Sequence, residues 1–410
     1  MTEWRSLAMR DLMVEFHDGP HATPSPADAG PVYLGIKNIT EAGLLELSDT
    51  RHIAEEDFAK WTRRVTPQPG DVVFTYEATL HRYAIIPTGF RGCLGRRLAL
   101  IRPDEDVVLP RFLHFLMLGP AWRETVTSRI ISGSTVDRIP IIDFPDFPIS
   151  VPDLPTQRAV VEMLGSIDDL IENNRRRIEL LEQMAQAIYR EWFVRLHYPG
   201  HEDAALVDSA LGPIPEGWAV KTIGEISINH DRLRKPLAGA IRAQRTGSFP
   251  YYGAAKLIDW IDGWIFDGEF LLFAEDGTVQ TSDGFPVLQL VEGRFWANNH
   301  THILQGKGVS TRFLFLASAF QPIAGFVTGA AQPKITQANL NRLSLAIGPT
   351  PIMGAFDEAI NPIFDEWNLL KAGIAPLAGI RDRLLPKLVT GQIDVSNLDL
   401  DLDAAVESVA

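Results

Sequence analysis

Cysteine is almost absent. Cys93 is the only one in 410 residues, which excludes an internal disulfide and any cysteine-rich zinc site. No apolar run reaches the ~18–20 residues of a membrane span. Met1-Thr2-Glu3-Trp4-Arg5 has neither the basic region nor the apolar stretch of a secretory signal, so a cytoplasmic chain with no membrane contact is expected. Positive charge is scarce too: 38 Lys and Arg stand against 52 Asp and Glu, a net charge of −14. Taken alone, that balance argues against a nucleic-acid partner, because phosphate attraction supplies much of DNA affinity.

What is present changes that reading. Hydrophobic residues make up 46% and charged residues 22%, an ordinary globular composition. The length exceeds one comfortable core and predicts two or more domains. The charges are also segregated. Asp394 to Ala410 holds five acids and no base. Ala78 to Pro103 holds five arginines (82, 91, 96, 97 and 102) and no acid. Ser227 to Lys256 holds six bases against the single Asp231. Two basic islands suit two local contacts with an anion, although solvated loops can carry arginine without one.

Residues 1–150 alternate short β-rich runs, such as Asp71–Tyr76 and Arg97–Ile101, with glycine and proline punctuation. Thr156 to His197 then contains no proline and only Gly165. Ile167, Ile171, Asn174, Ile178, Leu181, Ala185, Ile188 and Trp192 recur there in steps of three and four, as in a helix with a narrow seam. A small, acidic linker over residues 200–212 leads to a second set of strand-like runs, Phe270–Ala274 and Thr301–Leu304 among them. Phe356, Ile360, Ile363, Trp367, Leu370, Ile374 and Leu377 mark a second seamed helix, expected to bend or break near Pro376. Pro69–Phe74 matches Asp267–Leu272, and Gly133–Ile139 matches Gly329–Ile335 about 196 residues on. Order and spacing point to a duplication, two similar domains held apart by rigid helices.

The start of the first helix, Val151-Pro152-Asp153-Leu154-Pro155-Thr156-Gln157-Arg158, resembles that of the specificity subunits of Type I restriction-modification enzymes. Its exit, Met184–Phe193, is similar to that family's central region. Pro215-Glu216-Gly217-Trp218 with Ile223–Ile226 looks like the start of a second target-recognition domain. Leu384–Ile393 resembles the closing segment, and Asp18–Pro24 an early loop of first recognition domains. Thr156, where an acid is common, and Gly373, Pro376 and Gly379 depart from the pattern. The resemblance implies an α+β chain: two mixed α/β target-recognition domains joined by two long antiparallel coiled-coil-like helices. The corresponding segments are residues 1–150 (first recognition domain), 151–199 (spacer helix), 200–350 (linker and second recognition domain), 351–395 (second spacer helix) and 396–410 (acidic tail). It also implies a non-catalytic subunit that recognises a bipartite, asymmetric site on double-stranded DNA. Two modification subunits would bring S-adenosylmethionine and two restriction subunits ATP and magnesium, so no cofactor is expected on this chain.

The residues offer little chemistry of their own. Asn361-Pro362-Ile363-Phe364 approaches the loop with which amino-methyltransferases hold a flipped adenine, but it lacks the second proline and an upstream cofactor loop. Gly306-Lys307-Gly308-Val309-Ser310 lacks the first glycine of a phosphate loop. His300 and His302 have no third metal ligand nearby in sequence. The DNA-contact candidates carry the forks and amides that grip base edges or phosphates. In the first half they are Thr75, Tyr76, His81, Arg82, Arg91, Arg96, Arg97, Ser132 and Ser134. In the second half they are Arg242, Arg245, Tyr251, Tyr252, Lys256, Asn298, Asn299, Gln332 and Lys334. Of the adjacent Arg96 and Arg97 only one can face DNA from an extended segment, and the other should be structural or paired with an acid. Two other readings stay open: a DNA methyltransferase or nuclease with fused recognition domains, and a protein-interaction scaffold built on the helices.

Overall fold

The computed structural model describes residues 4–133, 136–329 and 332–395. Ser134 and the acidic tail from residue 396 lie outside them. The chain divides into two compact units, residues 1–172 with 375–410 and residues 173–374. Both long helices, Leu154–Tyr189 and Thr350–Leu388, contribute one end to each unit.

In the first unit β1 (Arg5–Ala8) pairs antiparallel with β9 (Pro148–Val151). Between them in sequence, β2 (Met13–Asp18), β8 (Leu98–Pro103), β5 (Val72–Thr75) and β6 (Tyr83–Ile85) form a four-stranded sheet in that order. A smaller sheet sets β3 (Ala27–Leu34) between β4 (Arg51–His52) and β7 (Gly92–Leu94). The helix Pro110–Leu118 supplies Phe112 and Phe115 to a core that includes Phe74 and Phe144, whose rings lie 4.7 Å apart. The end of the second long helix belongs to this core through Leu385, Leu388 and Val389. Beyond it, Gly391 sits at φ +71°, and a Cβ there would fall 2.5 Å from the Trp4 indole nitrogen. Glycine is required by both backbone and space.

The second unit repeats the plan. A short hairpin, β10 (Leu206–Val207) with β11 (Ile214–Pro215), brings in Trp218. Then β12 (Ala219–Thr222) pairs with β19 (Ser344–Ile347). The main sheet runs β13 (Ser227–Asn229), β18 (Thr301–Gly306), β16 (Phe266–Ala274), β17 (Leu288–Ala297), β14 (Thr246–Tyr252) and β15 (Leu257–Ile261). Its core gathers Phe313, Phe356, Phe193 and Trp218, with Phe193 4.9 Å from Phe356 and 5.2 Å from Trp218. Burying each such ring is worth roughly 1.5–3 kcal/mol.

The seams lie where the heptads put them: Ile171, Asn174, Leu181 and Ala185 are buried on the first helix, Phe356, Ile360 and Trp367 on the second. Gln157, fully buried, fastens the first helix by accepting from the Leu109 amide and donating to the carbonyls of Val107 and Pro152, each at 2.9 Å. At its far end Arg190–Val194 opens into a wider π-type turn. The break expected at Pro376 is not there. The second helix is continuous from Thr350 to Leu388, because Pro362 and Pro376 both occupy its exposed face. Water can serve a carbonyl that loses its partner on that side.

Candidate nucleic-acid interface

The two units anchor one pair of loops in the same way. In the first, the Tyr76 amide donates to the Arg97 carbonyl at 3.1 Å, the Ile139 amide to Tyr76 at 2.8 Å, and the Ala78 amide to Asp137 at 3.0 Å. In the second, the Glu275 amide donates to His300 at 2.9 Å, Ile335 to Glu275 at 2.9 Å, and Gly277 to Pro333 at 3.0 Å. The bridges Glu77–Arg138 and Ile131–Arg138 recur as Asp276–Lys334 and Thr328–Lys334. The register pairs Thr75 with Leu98 and Ala274 with Thr301. Arg96 and Arg97 therefore stand where Asn299 and His300 stand, and Glu77 where Asp276 stands. Even an ion pair is shared: Arg97 lies 3.5 Å from Glu77, His300 2.6 Å from Asp276.

Most of the first basic island is neutralised by distant acids. Arg91 pairs with Glu55 and lies over the Phe58 ring at 4.5 Å. Arg82 reaches Glu41 and the Ile39 carbonyl. Arg102 grips Asp71 with two nitrogens at 2.9 Å and Glu15 at 2.8 Å. Arg97 is the member of the adjacent pair that meets an acid, and Arg96 is exposed with no ion-pair partner among the described residues. Thr75 and Tyr76 are buried, and the Tyr76 hydroxyl holds the turn by donating to the Arg96 carbonyl at 2.9 Å. His81 sits at φ +62°, and burial, with Arg123 nearby, lowers its pKa. Ser132 is exposed in the loop that Arg138 closes.

Beside Arg96 lies a cavity of about 540 Å³ lined by Lys37, Arg51, Arg96 and Arg97 and by no acid. Arg51 was not among the candidates. It lies on β4, outside the island, and nothing in its sequence surroundings marks it.

In the second unit Arg242 pairs with Asp259 and Arg245 with Asp262, each guanidinium stacked on a ring, Tyr251 and Trp296 respectively. Tyr251 is buried, and its hydroxyl accepts from the Leu237 amide at 3.1 Å. Tyr252 is half-buried, edge-on to Phe295. Asn298 is buried and accepts from the His300 amide at 2.9 Å, shaping the turn. Lys256, Asn299 and Gln332 are exposed, whereas Lys334 reaches Glu275 at 3.0 Å.

Under this turn lies a charged cluster the sequence did not suggest. The His302 ring, 1% exposed, places Nδ1 2.6 Å from Asp231 and Nε2 3.0 Å from the Ile335 carbonyl. Arg234 bonds Glu275 at 2.6 Å and lies 3.4 Å from Asp231. Burial alone would raise both carboxyls. His302, the Ile303 amide and Arg234 hold Asp231 below its usual range; Arg234, His302 and Lys334 do the same for Glu275. Asp231, Glu275 and His302 are close enough to share a cation. Yet both ring nitrogens already face acceptors and both carboxylates face cations. The set is a closed ion cluster rather than an open metal site.

The other motifs have structural employment. Asn361–Phe364 lies inside the second long helix, with Asn361 accepting from Arg312 and Phe364 1% exposed. No loop is left there to hold a base. Ser310 caps the helix Thr311–Ala319 by accepting from the Phe313 amide at 3.0 Å.

Comparison with known proteins agrees with this architecture. Residues 215–366 match the family described as Type I restriction modification DNA specificity domain. The chain is 25% identical over 370 residues to the Type I restriction enzyme MjaIX specificity subunit of Methanocaldococcus jannaschii, spanning 85% of this chain and 83% of that one. The chain belongs to the Type I restriction enzyme specificity subunits. A putative specificity subunit of Haemophilus influenzae is 33% identical over 133 residues, 32% of this chain and 34% of its own. The crystal structure of a Type I restriction-modification system S subunit from M. genitalium shares the fold, with a TM-score of 0.56 at 14% identity over 94% of this chain and 96% of that one. In this specificity subunit the matched segment, residues 215–366, lies inside the second unit.

Proposed function

We propose that the chain reads a split DNA target, one half by each unit, and delivers the methyltransferase and restriction subunits of a Type I restriction-modification complex to it in the cytoplasm. The observation that carries this is the repeated pair of anchored loops: one scaffold built twice, with different side chains offered at its tip. Duplicated scaffolds with divergent tips suit a site whose two halves differ in sequence. The named relatives, all specificity subunits, support it.

The chain itself carries no chemistry in this reading. Its buried charged groups are paired with one another, and the two catalysis-like motifs are a helix interior and a helix cap. S-adenosylmethionine, ATP and magnesium belong to the partners, two modification and two restriction subunits per chain. Because most of the first basic island and half of the second are paired with acids and the net charge is −14, the isolated chain should bind DNA weakly and gain affinity when the modification subunits add phosphate contacts. The test is a binding and methyl-transfer titration on random-sequence duplexes. Chain plus modification subunits should mark a bipartite site, and chain alone with labelled S-adenosylmethionine should transfer nothing. Methyl transfer by the chain alone, or a continuous target read by one unit, would refute the proposal.

A further inference from the structure

We propose that Arg96 and Asn299 are the equivalent base-reading side chains of the two units, Arg96 taking a guanine edge in one half-site and Asn299 an adenine edge in the other. This rests on the reading that the chain binds a split DNA target.

In each turn the neighbours are fixed and one side chain is left over. The Arg96 carbonyl is held by the Tyr76 hydroxyl at 2.9 Å, and its amide faces the Tyr33 hydroxyl at 3.4 Å. Before it, Gly95 lets the backbone approach Leu34 so closely that a Cβ would fall 2.1 Å from the Leu34 carbonyl oxygen. After it, Arg97 is tied to Glu77. The Asn299 carbonyl is held by Arg234 at 3.3 Å, with Asn298 folded onto the His300 amide before it and His300 tied to Asp276 after it. The Arg96 and Asn299 side chains are exposed, and neither has a hydrogen-bond or ion-pair partner among the described residues. A fixed backbone bearing one free polar group is what a reading contact needs, since little order remains to be imposed on binding.

The exchange of Arg for Asn at one structural position favours a base over a phosphate. An amide can also donate to a phosphate, but a seat kept for its charge would hold a cation in both copies. What the two residues share is two-pronged hydrogen bonding: the guanidinium fork matches O6 and N7 of guanine, and the carboxamide matches N7 and the amino group of adenine. Charge is dropped between the copies while the edge-matching geometry is kept.

The experiment uses the full chain assembled with its methyltransferase subunits and a library of random-sequence duplexes, with methylated products sequenced. Failure of the wild-type complex to select any bipartite site would sink the functional reading itself. With a wild-type site in hand, Arg96→Ala should relax preference at one G·C pair in one half-site, and Asn299→Ala at one A·T pair in the other. Each should lower affinity for the selected site by about 5- to 150-fold and leave non-target affinity unchanged, which also shows that the variant is folded. Arg96→Gln replaces the guanine match by an adenine match, so the preferred pair should change from G·C toward A·T. Three results would overturn the proposal: an unchanged base preference in the alanine variants, an Arg96→Gln complex that still prefers G·C, or an equal loss on all sequences with a salt slope smaller by about one unit, the signature of a phosphate contact.

Discussion

The two units share a strand skeleton but fill one corner of it in opposite ways. Ala99 in the first unit and His302 in the second occupy the same place in the register, as do Tyr76 and Glu275; Asp18 pairs with Ala99, and Asp231, just past the end of β13, meets His302. In the second unit the corner is ionic: Arg234 and Lys334 answer Asp231 and Glu275, and His302 is hydrogen-bonded to Asp231, with little or no solvent at the two acids and the histidine. In the first it is apolar. Ala99 is fully buried, Tyr76 spends its hydroxyl on a backbone carbonyl, and Asp18 turns outward to Arg64 and His21. That unit keeps its own buried carboxylate elsewhere, Asp71 under Arg102. A scaffold of this kind accepts either filling provided every buried charge is answered. Corresponding strands can therefore stand on different energetics.

The largest test of that contrast is Asp231→Ala against Asp18→Ala. The first strips His302, Arg234 and the Ile303 amide of their shared acceptor and should cost about 3–5 kcal/mol, read as an early urea transition of the second unit. The second removes a quarter-exposed carboxylate and should cost under about 1 kcal/mol. Equal costs would break the comparison.

Acid should separate the units in the reverse order. His114, in the first unit, is buried; desolvation lowers its pKa to about 4, Arg111 and Arg381 add to the depression, and the carbonyls of Tyr83 and Gly43 oppose it. The unfolded chain takes that proton near pH 6.5 and the folded unit does not. The stabilisation is thus complete above about pH 6.5 and falls as the pH drops toward 4, by up to about 3 kcal/mol. Asp231 and Glu275 are depressed carboxyls, so their contribution is complete above the usual carboxylate range and is lost only as the pH falls through that range toward their lower folded values. Hydrogen exchange, corrected for intrinsic rates, should show Phe112–Met117 losing protection between pH 6.5 and 4.5 while Phe270–Ala274 holds. His114→Leu should abolish the difference.

Smaller effects sharpen the picture. Tyr76→Phe removes one hydroxyl bond and should lower the stability of the first unit by about 1 kcal/mol in a thermal melt. Arg97→Ala and His300→Ala cut the shared, partly solvated ion pair, and each should shift stability by less than about 1 kcal/mol. A loss of several kcal/mol from either would mean that the pair holds the turn, not merely its neighbour.

Much of the architecture was legible because it depends on local periodicity. Steps of three and four marked both seams, and the recurrence of Gly133–Ile139 at Gly329–Ile335 marked a loop whose closing residues, Arg138 and Lys334, bridge alike in both units. The candidate contacts were less legible. A run of arginines without acids looks like a free basic island, yet Arg91 finds its acid 36 residues away and Arg102 finds one 31 residues away. Arg51, exposed beside the cavity and within the field of Asp49, was not marked by the island pattern.

The sequence by itself determined the elements, their order and their duplication, because helix seams, strand alternation and turn glycines are set by neighbours a few residues apart. Tertiary structure alone decided which charges remain available, why Pro376 does not end its helix, and that His302 is a buried hydrogen-bond partner of Asp231 rather than a surface residue. Those outcomes depend on which side of an element meets water and which distant group arrives within about 3 Å, and the linear order of residues carries neither.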